Sequence, residues 1–194
     1  MITNERGIYL MTLLKVTELK KELKELNEKE LIQIIAELYK MNKDVQHYLS
    51  NKFGGEAAIV DLYEKTKKKI KDEFFPDRGD GKLRLGEAKK AITNFKKLSS
   101  DTVRTIDLML YYVELGTEFT NTYGDIDERF YVSMNLTYDK VIEECNKNEE
   151  HYKIFKDRLY DVIEDSSGIG WGYHEALCES YYALDWLEDE EEQF

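Results

Sequence analysis

The residue pattern most suited to chemistry is His174-Glu175-Ala176-Leu177-Cys178, near the carboxyl end of the chain. On a helix, residues four apart lie one turn apart on the same face, so His174 and Cys178 share a face. Imidazole nitrogen and thiolate sulfur are zinc ligands, and zinc proteases place two histidines at this spacing beside a glutamate that acts as general base. The pattern makes His174 and Cys178 candidate metal ligands, with Glu175 as candidate base of a metal-dependent enzyme.

Two features of the sequence weigh against this metal site. The second ligand is cysteine rather than histidine, and a third must come from elsewhere, such as Asp125, Asp127 or Glu128. Cys178 also follows Leu177, which the helical pattern turns inward, and cysteine is among the most often buried residue types. The chain contains no GxSxG, GxxxxGK[ST] or GxGxxG motif. We therefore expect no metal and no cofactor, and catalysis is not implied.

Aromatic residues around the same segment suggest a surface for another protein. The chain has 14 tyrosines and 8 phenylalanines, and a tyrosine ring can pack at a half-buried rim while its hydroxyl meets water. Trp171 lies in the glycine-flanked loop SSGIGWG, Tyr173 begins the last predicted helix, and Trp186 lies on that helix, which we expect to end near Asp189. Because Trp and Tyr are enriched at interfaces, these three are candidate interaction residues. Packing between helices is the simpler explanation.

The segment VTELKKELKELNEKELIQII offers a third kind of site. Leu19, Leu23 and Leu26 recur at helical spacing, and Asn27 with Glu30 forms a capping-box pattern that begins a second helix. The pair is similar to the SAP module of DNA-binding proteins but lacks its glycine-containing loop. A nucleic-acid-associated regulator acting through residues 17–40 is therefore a further alternative.

Charge and cysteine content restrict the partners and the compartment. The formal net charge is −12, which opposes attraction to nucleic acid and to anionic membranes. No apolar run approaches the length of a membrane span. Cys145 and Cys178 are the two cysteines, and the chain lacks a secretory signal pattern, so we expect a cytoplasmic protein without disulfides.

The stretch 100–124 organises the predicted fold. Its sequence, SDTVRTIDLMLYYVELGTEFTNTYG, has apolar residues on nearly every side of a helical projection, and such a helix belongs inside a protein. Other segments carry apolar residues at steps of three and four, and Pro76 is the only proline. The sequence therefore predicts an all-α fold, an irregular bundle of about eight or nine helices around a buried central helix.

The pattern also predicts the limits of the domain. Residues 1–10 lack helix signals, and Met11 opens the first amphipathic pattern, so 1–10 are expected to be an untranslated or disordered leader. A single helical domain is expected over 11–190, with 17–53 as a semi-independent hairpin unit. The acidic end, 191–194, should fray.

Five stretches together resemble a family of uncharacterised helical bacterial proteins. They are LKKELKELNEKELIQIIAELYK, IKDEFFPDRG, AKKAITNFKKLS, YYVELGTEFTNTYGDIDERFY and GIGWGYHEAL. The family has no assigned activity, so the resemblance implies a cytoplasmic helical domain and assigns no functional residue. Together with the missing catalytic motifs, it favours a non-catalytic module that binds another protein or associates with itself.

Overall fold

The computed structural model describes residues 13–187, apart from the side chain of Asn51. Over that range the backbone forms nine α-helices and no strand. They are α1 Val16–Lys24, α2 Glu28–Met41, α3 Lys43–Gly54, α4 Glu56–Phe74, α5 Leu85–Ser99, α6 Thr102–Tyr123, α7 Glu128–Asn146, α8 Glu149–Asp165 and α9 Tyr173–Tyr182. The predicted all-α class and helix number are confirmed. None of the described helices is both long and apolar enough to cross a lipid bilayer.

The chain divides between Leu49 and Ser50 into two units. The first contains α1, α2 and most of α3, and the second contains the remaining helices. The predicted leader 1–10 and acidic tail 191–194 lie outside the described residues. The independence of residues 17–53 stays a prediction.

The central helix of the second unit is α6, as the sequence predicts. It packs against α4, α5, α7 and α8, and eleven of its 22 residues are buried. Leu108, Leu110 and Tyr112 are completely shielded from solvent. At Gly116, an added Cβ would meet the side chain of Met134 on α7, so the missing side chain permits the close approach of these two helices.

Side-chain caps set several helix ends. The capping box that begins α2 is confirmed: Asn27 N donates to Glu30 Oε2 at 2.8 Å, and Glu30 N donates to Asn27 Oδ1 at 3.1 Å. Asp127 caps α7, since its side chain accepts the N–H of Phe130 at 2.9 Å.

The last helix is shorter than predicted. It ends at Tyr182 rather than near Asp189. The Asn146 amide donates to the carbonyl of Ala183 at 3.2 Å and accepts the N–H of Asp185 at 3.1 Å. These bonds satisfy backbone groups that a longer helix would use, and so they stabilise the turn that ends it.

A buried carboxylate joins α4 to the start of α5. Glu73 is 3% exposed. It accepts Arg84 Nη2 at 2.8 Å and Arg84 Nε at 3.0 Å, as well as the backbone N–H of the same residue at 3.2 Å. The Arg84 guanidinium holds the pKa of the Glu73 carboxyl below its ordinary value.

Replacing Glu73 with glutamine should therefore lower stability in a pH-dependent way. In the folded state the pKa of Glu73 lies below the ordinary glutamate value of about 4.3. Its ionised form stabilises the fold above that pH, and this contribution is lost as pH falls through the folded-state pKa. Urea unfolding of wild type and Glu73→Gln should differ most at neutral pH and converge in acid. The exposed Glu143→Gln, on α7 and away from Arg84, is the control, and a pH-independent difference would contradict the prediction.

Candidate functional site

His174 is held by a buried serine at the end of α8. Its Nδ1 lies 2.9 Å from Oγ of Ser166, which is completely buried. The Ser166 hydroxyl donates its proton to the carbonyl oxygen of Ile163 at 2.7 Å. A hydroxyl has one proton, so Ser166 Oγ accepts from His174 Nδ1–H. We assign the neutral imidazole proton to Nδ1, which leaves Nε2 as an acceptor.

Cys178 lies beside this imidazole, as the helical spacing predicts. Its Sγ is 3.6 Å from His174 Nε2 and 4.0 Å from Nδ1. Similar distances to both nitrogens place the sulfur beside the ring rather than in line with the Nε2 lone pair, where a general base would accept the thiol proton. Burial raises the pKa of the Cys178 thiol, and the nearby carboxylates of Glu175 and Glu164 raise it further. The thiol is therefore kept protonated, which disfavours both nucleophilic attack and metal ligation.

The third ligand of the predicted metal site is not brought to this pair. In the part of the chain that the structure describes, no three His, Cys, Asp or Glu side chains are grouped to hold a metal ion. Asp125 accepts the hydroxyl of Tyr131 at 3.1 Å, and Asp127 caps α7. Glu128 is exposed in the first turn of α7. Residues 173–178 thus provide a histidine–thiol contact without the ligand set of a metalloenzyme.

The two cysteines should differ in their reactivity. Cys145 is completely buried, and burial raises its pKa to about 12, whereas Cys178 is partly exposed. We expect iodoacetamide to label one thiol per native chain, at Cys178, because only its sulfur has access to reagent. His174→Ala should change the labelling rate less than about threefold, since the imidazole is not aligned to deprotonate the thiol. Peptide mass spectrometry identifies the labelled site. A much larger loss of rate in His174→Ala would restore a catalytic role for the pair.

The three aromatic residues predicted to form an interaction surface lie in different environments. Trp171 is 60% exposed, with a left-handed φ of 62°. Tyr173 is completely buried, and its hydroxyl lies 2.8 Å from that of Thr117. Trp186 packs against the core, with Nε1 donating to the carbonyl of Cys145 at 3.0 Å. Tyr173 thus lies in the core rather than at the surface, and its hydroxyl finds a partner inside the protein. Of the three, only Trp171 is largely exposed.

Part of the high tyrosine content serves the core of the second unit. Six of the described tyrosines are buried, and four of these are at most 2% exposed, each with a hydroxyl that hydrogen-bonds within the protein. The four are Tyr112, Tyr131, Tyr138 and Tyr173. Helix packing, the simpler explanation of this composition, accounts for these four.

Ten of the twenty exposed large apolar side chains among the described residues lie in the N-terminal unit, where residues 17–40 are the alternative candidate for a nucleic-acid site. No residue from Leu13 to Leu49 is buried. Helical spacing places Leu31, Ile34, Ile35 and Leu38 on one face of α2. The structure half-buries the first two but leaves Ile35 49% and Leu38 48% exposed. The exposed apolar side chains of this unit are Leu13, Leu14, Val16, Leu19, Ile32, Ile35, Leu38, Tyr39, Met41 and Tyr48.

The charge of this N-terminal unit also sets it apart. Between Leu13 and Leu49 lie seven lysines and seven acidic residues, so the segment is formally neutral, while the whole chain carries −12. A neutral segment has no excess cations for phosphate contacts, which weighs against nucleic acid binding. It also lacks the charge repulsion that keeps the rest of the chain apart from its copies.

These features define an all-α protein with an uncovered apolar helix face and, among the residues that the structure describes, no group of metal ligands. The chain belongs to DUF6155, a family of unknown function, which it matches over residues 14–181. Membership of a family without an assigned activity is thus confirmed. No match was found among curated proteins or among solved structures.

Proposed function

We propose that this protein acts by self-association through the apolar face of α2, here called the α2 face and formed by Ile32, Ile35, Leu38 and Tyr39. The observation that supports it is their exposure, from 42% at Tyr39 to 57% at Ile32. Monomeric proteins seldom leave so many neighbouring large apolar side chains in water. No catalytic step is needed for this role.

Covering the α2 face would stabilise a complex appreciably. Removing the exposed half of an Ile or Leu side chain from water is worth about 1 kcal/mol. The four side chains lie within about 120° of one another around two turns of one helix, so one partner helix can cover them together.

The charge of the N-terminal unit permits a second copy as the partner. Both signs of charge occur at each end of α2, with Glu28, Lys29 and Glu30 at its start and Glu37, Lys40, Lys43 and Asp44 around its end. In a two-fold dimer each copy supplies the same apolar face to the other, so the contact is self-complementary. The neutral N-terminal unit adds no net repulsion.

The size of the face predicts a weak dimer. A helix of 14 residues is about 21 Å long, so two α2 faces alone bury less than the roughly 1,200 Å² of a stable interface. We expect a dissociation constant on the order of micromolar.

Sedimentation equilibrium of the full chain at several concentrations tests the proposal. We expect a monomer–dimer equilibrium that persists at high salt, because apolar contacts are not screened by ions. A monomer at every concentration would refute self-association. A dimer that dissociates as salt is raised would refute the apolar contact.

A further inference from the structure

A groove on the second unit is lined by lysines on both sides. It lies over α6, between α5 and α7, and has a volume of about 310 Å³. Lys89 and Lys96 line it from α5, and Lys140 lines it from α7. This volume lies at the lower end of the range for small-molecule sites.

The lysines of the groove differ from many of those on α4. On α4, Lys65 pairs with Asp61 at 2.6 Å and Lys68 with Asp72 at 3.0 Å. Within residues 13–187, no carboxylate pairs with the three groove lysines. Lys90 and Lys97 of α5 are likewise not paired with a described carboxylate, so what sets the groove lysines apart is that they surround one groove. Their positive potential is therefore available to an anion.

The groove between these cations is partly apolar. Ile92 and Met109 line it, together with Thr93, Thr105 and Thr137. Each threonine hydroxyl donates its proton to the backbone carbonyl four residues earlier, at 2.9, 2.5 and 2.8 Å respectively. These hydroxyls have no further proton to donate to a ligand. Negative charge must therefore be met by the lysines, and the remaining surface suits an apolar body.

We propose that this groove binds a small organic anion with an apolar body. The head group, a carboxylate or a phosphate, would lie between the ammonium groups of Lys96 and Lys140. The body would pack on Ile92 and Met109. Lysine acts as a point charge without fixed geometry, so the site recognises charge together with apolar surface rather than one head-group shape. The proposal is independent of the α2 face.

Isothermal titration with octanoate tests the site, and octyl phosphate serves as the second ligand. The groove variant Lys96→Gln/Lys140→Gln removes one cation from each side. The control Lys90→Gln/Lys97→Gln removes two exposed lysines of α5 that do not line the groove. Both double variants remove two positive charges, and circular dichroism verifies that they fold.

We expect octanoate to bind wild type, with a dissociation constant at least about fivefold weaker in the groove variant and nearly unchanged in the control. Acetate and inorganic phosphate, which lack the apolar body, should bind much more weakly. Whichever of octanoate and octyl phosphate has the lower dissociation constant identifies the preferred head group. No octanoate binding, or equal loss in both doubles, would overturn the proposal. Inorganic phosphate binding as tightly as octyl phosphate would overturn the role of the apolar surface.

Ile35→Glu separates this site from the α2 face. Octanoate can also adhere to exposed apolar side chains, and the α2 face is the most obvious alternative site. Ile35→Glu should bind octanoate as wild type does. A loss of binding in this variant would place the ligand on the α2 face and refute the groove.

Discussion

Ile35→Glu is expected to raise the dimer dissociation constant at least about 100-fold, leaving a monomer at concentrations where wild type is dimeric. Ile35 is 49% exposed on the α2 face. A glutamate there would have to leave water when a second copy docks, without a cation placed to pair with it. In a two-fold dimer one substitution changes the interface twice, which doubles the penalty. Sedimentation equilibrium measures the change.

The matched control is Gln33→Glu. It introduces the same residue on the same helix, two positions away and therefore on the opposite side of α2. Gln33 is exposed and bonds to Glu37 at 3.1 Å, within its own helix. Gln33→Glu should dimerise as wild type does. Equal weakening in the two variants would mean that added charge, rather than loss of the apolar face, is responsible.

The helices of the N-terminal unit were predictable, but their exposure was not. Steps of three and four place Leu31, Ile34, Ile35 and Leu38 on one side of α2, and the capping box marks where the helix begins. Periodicity identifies the apolar side of a helix, but it contains no information on whether another element covers it. Only the packing reveals that Ile35 and Leu38 remain about half exposed.

The contact between His174 and Cys178 was predictable because it depends on local helix geometry alone. Residues four apart on a helix are neighbours whatever the tertiary fold. The hydrogen bond from His174 to Ser166 depends on how the loop between α8 and α9 folds. A serine eight residues before a histidine is not a pattern from which this bond can be predicted. The absence of a third ligand among the described residues likewise follows from packing. Local geometry was thus available from the sequence, whereas the environment that decides the chemistry was not.

The groove illustrates the same limit at longer range. Lys96 and Lys140 lie 44 positions apart in the chain, and they line one groove because α5 and α7 both pack against α6. Helix periodicity predicts that each lysine is solvated. It does not predict the helix crossings that place their charges beside Met109.

An ion network beside the central helix provides the second large expected effect. On α8, Arg158 donates to Glu114 through Nε at 2.7 Å and through Nη2 at 2.9 Å. Its Nη1 donates to Asp107, which also accepts the hydroxyl of Tyr63 from α4. The carboxylates hold the pKa of Arg158 above its ordinary value, despite the opposing effect of burial. The network joins α4, α6 and α8 through charges that are largely shielded from water.

Arg158→Met should lower the free energy of unfolding by about 3 kcal/mol, near the lower end of the range for breaking a buried ion pair. The Arg158 side chain is 33% exposed, and the Asp107 and Glu114 side chains are 17% and 28% exposed, so water screens the change only in part. Without the guanidinium, two carboxylates remain on one side of α6 with no cation between them. For a chain of this size the melting temperature should fall by roughly 6–12 °C, as measured by circular dichroism.

Two further variants identify the cause of this loss. Lys153→Met removes a cation from the same helix, but its partners Glu149 and Glu150 are exposed, so the melting temperature should not change measurably. Adding Glu114→Gln to Arg158→Met removes one of the unpaired carboxylates and should recover part of the lost stability. If the double variant is no more stable than Arg158→Met, the loss of stability comes from the packing of the arginine stem rather than from the unpaired carboxylates. The interaction between α6 and α8 would then depend on apolar contact, and the ion network would contribute specificity of pairing without net stability.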